Sequence, residues 1–207
     1  MNSLDPQTEL FKRLAASSAA SLLEPLYSKA ADALDASGYA GVLRGEGWLS
    51  HAAHPVLTDV PIGLLTATSV LDLLGGPKSR RARTILCGLG VLSAVPTAAS
   101  GLADWNRLEG EDRRLGVIHA AGNGAAIGLY AKSAMLRLAG HHGRGTLCAL
   151  AGAGVMAAAG YLGGELALNR GAAARHPAPA GGPLPTEHPV PEGAHTPTDG
   201  RPAQHSA

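Results

Sequence analysis

The stretch ILCGLGVLSAVPTAASGLA, residues 85–103, decides the fold because no charged side chain interrupts it. About 20 such residues form a helix long enough to cross the ~30 Å hydrocarbon core of a bilayer. A helix on the surface of a water-soluble protein normally carries a polar face, and residues 85–103 have almost none. The stretch therefore predicts a membrane-spanning helix, and a water-soluble all-α bundle is the alternative.

Three further apolar segments lie outward from this stretch, at residues 56–74, 115–138 and 147–168. The first of them is the least apolar, because it contains Asp59 and Asp72. Short polar connections join the four segments, so that neighbours must run antiparallel. The predicted fold class is all-α: a four-helix transmembrane bundle, up-down-up-down, with an amphipathic N-terminal helical segment.

The composition supports helices packed in a membrane. Aromatic residues make up 3% of the chain, and 28 residues are glycine. Small side chains let membrane helices approach closely where hydrophobic burial cannot drive them together. The net charge of +1 gives no indication of nucleic-acid binding, so the lipid bilayer is the expected partner. Cys87 and Cys148 lie in apolar runs, which favours buried thiols over a disulfide framework.

The ends of the chain differ from its middle. Residues 1–45 have apolar side chains at helical spacing interrupted by charges, which predicts an interfacial helix or a short helical pair. Residues 46–172 contain the four predicted spans. Residues 173–207 are rich in Pro, Gly and His, which predicts a disordered tail.

Basic residues orient the predicted spans. Lys78, Arg80, Arg81 and Arg83 lie in the first connection, which has no acidic residue. The excess of positive charge in cytoplasmic loops places this connection inside the cell. A multi-pass protein of the cell membrane with both termini outside the cytoplasm is therefore expected.

Polar side chains gather at one end of the predicted bundle, where segments one and three begin and segments two and four end. Titratable residues at membrane depth are costly and usually face the bundle interior. The convergence therefore predicts a site. Its members are His51, His54, Asp59, Asp104, Trp105, His119, Asn123 and Glu165.

The third segment carries a polar stripe at steps of three and four residues, from His119 and Asn123 through Tyr130 to Arg137. Such residues share one face of a helix, which we expect to face the other spans. Asp72 ends the first segment near the height of Arg137. An ion pair between Asp72 and Arg137 is therefore predicted, with a structural role.

Four groups of motifs occur in order along residues 45–176. They are His54-Pro55-Val56-Leu57-Thr58-Asp59-Val60-Pro61-Ile62-Gly63 with Leu71-Asp72-Leu73, then Ser100-Gly101-Leu102-Ala103-Asp104-Trp105, Gly116-Val117-Ile118-His119 with Asn123, and Gly160-Tyr161-Leu162-Gly163-Gly164. Together they resemble the domain-of-unknown-function 2231 family of predicted bacterial four-helix membrane proteins. Some relatives carry an attached Rieske iron–sulfur domain, so that the resemblance implies a link to electron transfer. This chain has no Cys-x-His pair to bind such a cluster.

The chain departs from this family at two places. Relatives often show Gly-His-Pro-x-His-Pro before the first helix, where this chain has Ser50-His51-Ala52-Ala53-His54-Pro55. A histidine often follows the glycine pair of the fourth helix, where this chain has Glu165. If histidines are ligands in the family, the second departure weakens the case for a complete site.

Three hypotheses for the polar cluster stay open. In the first, His54 and His119 bind a b-type haem axially, which would make the chain an electron-transfer subunit with a redox partner. In the second, His51, His54, His119 and Glu165 bind a transition metal, since imidazole and carboxylate suit Zn, Cu, Ni or Fe. The tail histidines would bind metal only adventitiously.

In the third hypothesis the protein is a non-catalytic scaffold, and its polar residues bond across the helices. These structural residues are Asp59, Asp72, Asp104, Asn123 and Arg137. Four spans are few for a transporter or channel and no inverted repeat is visible, although a homo-oligomer could still create a pore. No hydrolase elbow, P-loop or zinc-protease motif indicates an enzyme.

Overall fold

The computed structural model describes residues 6–49 and 51–172, and these ranges contain helices and no strand. The predicted disordered tail, residues 173–207, lies outside the described residues. In chain order the helices are α1 Pro6–Ala15, α2 Ser18–Ala36, α3 Ala40–Arg44, α4 Ala53–Leu74, α5 Arg80–Trp105, α6 Gly110–Leu138 and α7 His142–Gly164, with a 3-10 helix at Pro77–Ser79 and a π-helical segment at Glu165–Asn169.

The four long helices, α4 to α7, are longer than the apolar segments that predicted them. α4 begins at Ala53, so that Pro55 lies in its first turn, where a missing backbone N–H costs no hydrogen bond. α6 ends where Gly140 adopts a φ of +81°, a left-handed conformation that glycine takes without strain. The backbone N–H of Gly140 donates to Arg137, and the chain turns directly into α7.

Each long helix packs against two others. α4 and α6 each contact both α5 and α7. The central contact joins one buried residue from each of the four helices: Leu65, Cys87, Tyr130 and Ala149. The shared core positions all four helices around the polar residues described below.

The long helices expose large apolar side chains and bury polar ones. Leu92 and Val95 are each 67% exposed, whereas Ser133 is fully buried and Arg137 is 2% exposed. A water-soluble protein would have the opposite distribution, because exposed apolar patches are kept small in water. The distribution is that of helices surrounded by hydrocarbon.

Three helical segments of the described chain are long and apolar enough to cross a membrane: Ala53–Leu74, Pro77–Trp105 and His142–Asn169. The sequence predicts four spans, and α6 is not among the three. The reason lies in its composition, since charged residues begin α6 and a polar stripe follows them. The location of that stripe therefore decides whether α6 can lie in hydrocarbon.

The N-terminal residues form three helices where the sequence predicts one helix or a pair. α1 packs on α6, α2 on α5 and α6, and α3 on α5. Phe11 contacts Leu115 and Leu162, while Ala31 packs with Trp105. These helices belong to the same compact unit as α4–α7.

Candidate functional site

His54 joins the start of α4 to α5. Its Nδ1 lies 3.0 Å from the carbonyl oxygen of Thr97. A carbonyl only accepts, so the neutral ring carries its proton on Nδ1. The ring also packs against Gly101, where an added Cβ would lie 2.6 Å from the His54 Cε1 atom. Only a glycine at this position lets the imidazole lie so close to the α5 backbone.

His119 joins α6 to α7 in the same way. Its Nδ1 donates to the carbonyl oxygen of Ala159 at 2.8 Å. An added Cβ at Gly163 would lie 2.6 Å from the His119 Cε1 atom. In both cases the carbonyl precedes the glycine by one helical turn. Each histidine is therefore fixed in the tautomer that leaves the Nε2 lone pair available.

Asn123 covers the His119 ring from within α6. Its Nδ2 lies 3.4 Å from Nδ1 and 3.2 Å from Nε2, and 3.1 Å from the His119 carbonyl oxygen. An amide aligned with the Nε2 lone pair would be much farther from Nδ1 than from Nε2. The nearly equal distances place the amide over the face of the ring, so that it does not block the in-plane direction of Nε2.

The two histidines belong to a repeat that extends through the long helices. His54 and His119 are 65 residues apart, and Ile62-Gly63-Leu64 recurs at the same interval as Ile127-Gly128-Leu129. Further along, Leu65 packs on Gly90 of α5, and its counterpart Tyr130 packs on Gly152 of α7. The α4–α5 pair and the α6–α7 pair therefore make equivalent contacts at equivalent positions.

Equivalent positions of the two halves also contact each other. The Tyr130 hydroxyl lies 3.4 Å from the Leu65 carbonyl oxygen, and Arg137 Nη2 donates to Asp72 Oδ2 at 2.5 Å. Both contacts join residues that are 65 apart. Contacts between equivalent positions are those that an approximate two-fold axis produces. The predicted ion pair between Asp72 and Arg137 is present on this axis.

Asp72 connects all four long helices. Its side chain is fully buried at the C-terminal end of α4. It accepts from Arg83 of α5 at 3.1 Å, from Arg137 of α6, and from Thr146 of α7 at 2.9 Å. Arg137 in turn donates through Nε to Ser133, at 3.0 Å. One carboxylate thus faces two guanidinium groups, and Arg137 Nη1 and Arg83 Nε are buried without a hydrogen-bond partner among the described residues.

Helices α1–α3 cover the end of the molecule that contains the two histidines. Ser100, beside Gly101, donates to the Leu43 carbonyl oxygen at 2.7 Å. Phe11 packs on Leu162, which precedes Gly163. The residue that precedes each glycine is therefore in contact with, or in the same hydrophobic cluster as, an N-terminal helix.

Ion pairs hold this cover in place. Arg44 bonds both Asp35, at 3.0 Å, and Glu46, at 2.9 Å, and Arg107 also pairs with Glu46. The hydrogen bond from Arg44 Nη1 lowers the pKa of the Asp35 carboxyl below its ordinary value, and the hydrogen bond from Arg44 Nε lowers the pKa of the Glu46 carboxyl. Asn106 donates to Asp35 as well, at 2.5 Å.

The structure separates the other residues of the predicted site. His51 and Asp59 are exposed, and Asp104 is half-buried near the end of α5. Glu165 pairs with Arg170 at 3.0 Å and accepts from Asn169. Within residues 6–49 and 51–172, no three His, Cys, Asp or Glu side chains are grouped closely enough to hold a metal ion.

The sequence alone did not reveal the backbone partners of the histidines or two members of the Asp72 cluster, Arg83 and Thr146. Thr97 and Ala159 act through their carbonyl groups, which every residue has, so residue type gives no signal. The interval of 65 residues was the available signal, because it pairs His54 with His119 and Asp72 with Arg137. Arg83 was assigned to the connection, whereas it lies buried inside α5.

Comparison with known proteins gives a family but no activity. Residues 50–175 match the model of a family described as predicted membrane protein, domain of unknown function 2231. No curated protein and no solved structure matches the chain significantly. The match covers more than half of the chain and includes α4–α7 with both histidines. The chain therefore belongs to the domain-of-unknown-function 2231 family of predicted membrane proteins.

Proposed function

We propose that all four long helices cross the membrane in an up-down-up-down bundle, α6 included. The polar stripe of α6 supports this, because Tyr130, Ser133 and Arg137 are buried against other helices. Hydrocarbon would then contact mainly the apolar remainder of α6. The basic connection between α4 and α5 would face the cytoplasm, and both termini the opposite side.

We propose further that the protein is a membrane electron-transfer subunit that binds a b-type haem between His54 and His119. The observation that carries this is the pair of imidazoles on helices α4 and α6, each fixed by an Nδ1–H bond to a backbone carbonyl. Histidines that bind a metal commonly donate their other ring nitrogen in this way, which orients the ring and makes it a stronger ligand. A bound haem would supply one-electron chemistry.

The two rings are also more accessible than the centre of the molecule. His54, His119 and Asn123 are half-buried, whereas Leu65 and Tyr130 are fully buried. The glycines beside the rings are already in contact, because Gly101 and Gly163 each pack against an imidazole and Gly122 packs against Ala159. The accessibility of the two imidazoles, rather than an open glycine surface, supports a bound ligand.

Absorption spectroscopy of the full-length protein, purified in mild detergent from cells supplied with a haem precursor, tests the proposal. We expect a Soret band in the wild type and its loss in His54→Ala and in His119→Ala. His51→Ala is the matched control, because His51 is exposed and should leave the band unchanged. A wild-type protein without a Soret band, folded and reduced with dithionite, would contradict haem binding.

A scaffold function is the second candidate, favoured by the hydrogen bonds that the same histidines make. His54 joins α4 to α5 and His119 joins α6 to α7, each through a backbone carbonyl. In this case His119→Ala lowers the yield of folded protein but removes no absorbing group. Measuring yield and spectrum on one preparation distinguishes the two functions.

A further inference from the structure

The end of the long helices opposite the histidines carries an unbalanced positive charge. Exposed cationic residues lie there, among them Lys78, Arg80, Arg81 and Arg144. No acidic residue occurs in residues 73–84 or 131–147. Asp72 is the carboxylate nearest in sequence to the first of these segments, and its side chain is fully buried between two arginines. The exposed cations are therefore not neutralised from within these segments.

The Asp72 cluster brings the two basic segments together in space. Arg83 and Thr146 both bond to Asp72 Oδ1, at 3.1 Å and 2.9 Å. Arg81 lies two residues before Arg83, and Arg144 two residues before Thr146. The segment that contains Lys78, Arg80 and Arg81 thus adjoins the one that contains Arg144. These four residues are called the basic face below.

The charges at the histidine end are arranged differently. Arg44, Arg107, Arg113 and Arg170 each pair with a carboxylate of the chain. That end satisfies its arginines internally, whereas within residues 6–49 and 51–172 the basic face forms no ion pair. The asymmetry leaves the basic face available to an external anion.

We propose that the basic face binds the phosphate groups of anionic phospholipids. Exposed apolar residues directly adjoin it: Leu73 and Leu74 before Lys78, and Leu147 after Arg144, are 68%, 83% and 69% exposed. Cations next to exposed leucines match a lipid, whose phosphate lies next to its acyl chains. Each such cation near an anionic membrane surface strengthens association by about fivefold.

Native mass spectrometry of the full-length protein tests the proposal, using micelles that contain phosphatidylglycerol and phosphatidylcholine in equal parts. We expect the wild type to retain phosphatidylglycerol preferentially, and K78Q/R80Q/R81Q to lose that preference by at least about tenfold. K12Q/R13Q/K29Q is the matched control, because it removes three exposed cations from α1 and α2 and should keep the preference.

Two results would overturn the proposal. The first is an equal retention of both lipids by the wild type, or an equal loss of preference in both triple variants. The second comes from thermal unfolding of the wild type in detergent, in one sample with inorganic phosphate and no lipid and in another with phosphatidylglycerol. Equal stabilisation in the two samples would count against lipid binding. That result would assign the face to a free anion. Circular dichroism of both variants establishes that they are folded, and neither carries a change near the proposed haem ligands.

Discussion

At the scale of single residues, Gly160 and Gly163 of α7 differ by what lies opposite them. An added Cβ at Gly163 would meet the His119 ring at 2.6 Å, whereas one at Gly160 would meet nothing within 4 Å. We predict that Gly163→Ala lowers the melting temperature in detergent, because the ring must move away from the Ala159 carbonyl. That bond contributes about 1 kcal/mol.

Gly160→Ala is the control for this prediction. Alanine favours a helix over glycine by up to about 1 kcal/mol, so this variant should melt at or above the wild-type temperature. Equal melting temperatures for both variants would show that the contact between His119 and Gly163 does not contribute to stability.

Asp72 and Asp59 offer a second comparison, on one helix. Asp72→Asn would leave the guanidinium groups of Arg83 and Arg137 buried without a counter-charge. We predict a loss of about 3–5 kcal/mol in the free energy of unfolding, as expected when one partner of a buried ion pair is removed. Asp59 is exposed, and Asp59→Asn should change stability by less than ~1 kcal/mol. Reversible unfolding in mixed detergent micelles measures both.

At the scale of elements, the cover formed by α1–α3 should respond to acid. The pKa values of Asp35 and Glu46 are lowered in the folded state, so that their ion pairs stabilise the cover at neutral pH. This contribution declines as the pH falls below their ordinary values of 3.8 and 4.5, and it is lost below the folded pKa values. We predict that acidification loosens the cover. The fluorescence of Trp105, which packs against α2, measures this change.

The controls for the acid response lie in the same helices. Asp35→Asn combined with Glu46→Gln should remove most of the transition, because the carboxylates of the two Arg44 ion pairs described above are then uncharged amides. Asp32→Asn removes an exposed carboxylate of α2 and should leave the transition unchanged. A transition that persists in the double variant would assign the acid response to other groups.

The elements were predictable to the extent that hydropathy defines them. The apolar segments predicted α4, α5, α6 and α7, most directly where an uninterrupted run such as residues 85–103 leaves few alternatives. Their ends were less predictable, since helices continue through polar residues such as Arg80 and Glu111 once neighbours pack against them. α3 was missed because Ala40–Arg44 is only five residues long and is held by tertiary contacts with α5.

At the scale of the whole molecule, the membrane topology can be tested on both sides of α6. We predict that cysteines introduced at Glu109 and at His141 react with a membrane-impermeant maleimide from opposite sides. Both positions are exposed and flank α6 directly. The wild type is the control, because Cys87 is buried and Cys148 half-buried. Labelling of both cysteines from one side would mean that α6 does not cross.

The site was only partly predictable, and the reason is geometric. His54, His119, Asp72 and Arg137 were identified because polar residues are rare in apolar segments. Which of them meet depends on how each helix is rotated, and that is decided by close approaches at glycines such as Gly101. Glu165 was expected in the site, but Arg170, five residues further along the chain, donates a hydrogen bond to its carboxylate.

The pairing of Asp72 with Arg137 limits how the α4–α5 hairpin and the α6–α7 hairpin can associate. A two-helix hairpin carrying Asp72 that associated with its own copy would oppose two carboxylates in a buried position, and one carrying Arg137 would oppose two guanidinium groups. Buried like charges repel strongly, so neither half is complementary to a second copy of itself. Covalent continuity lets the halves carry opposite charges at matching positions, and each half is then complementary only to the other.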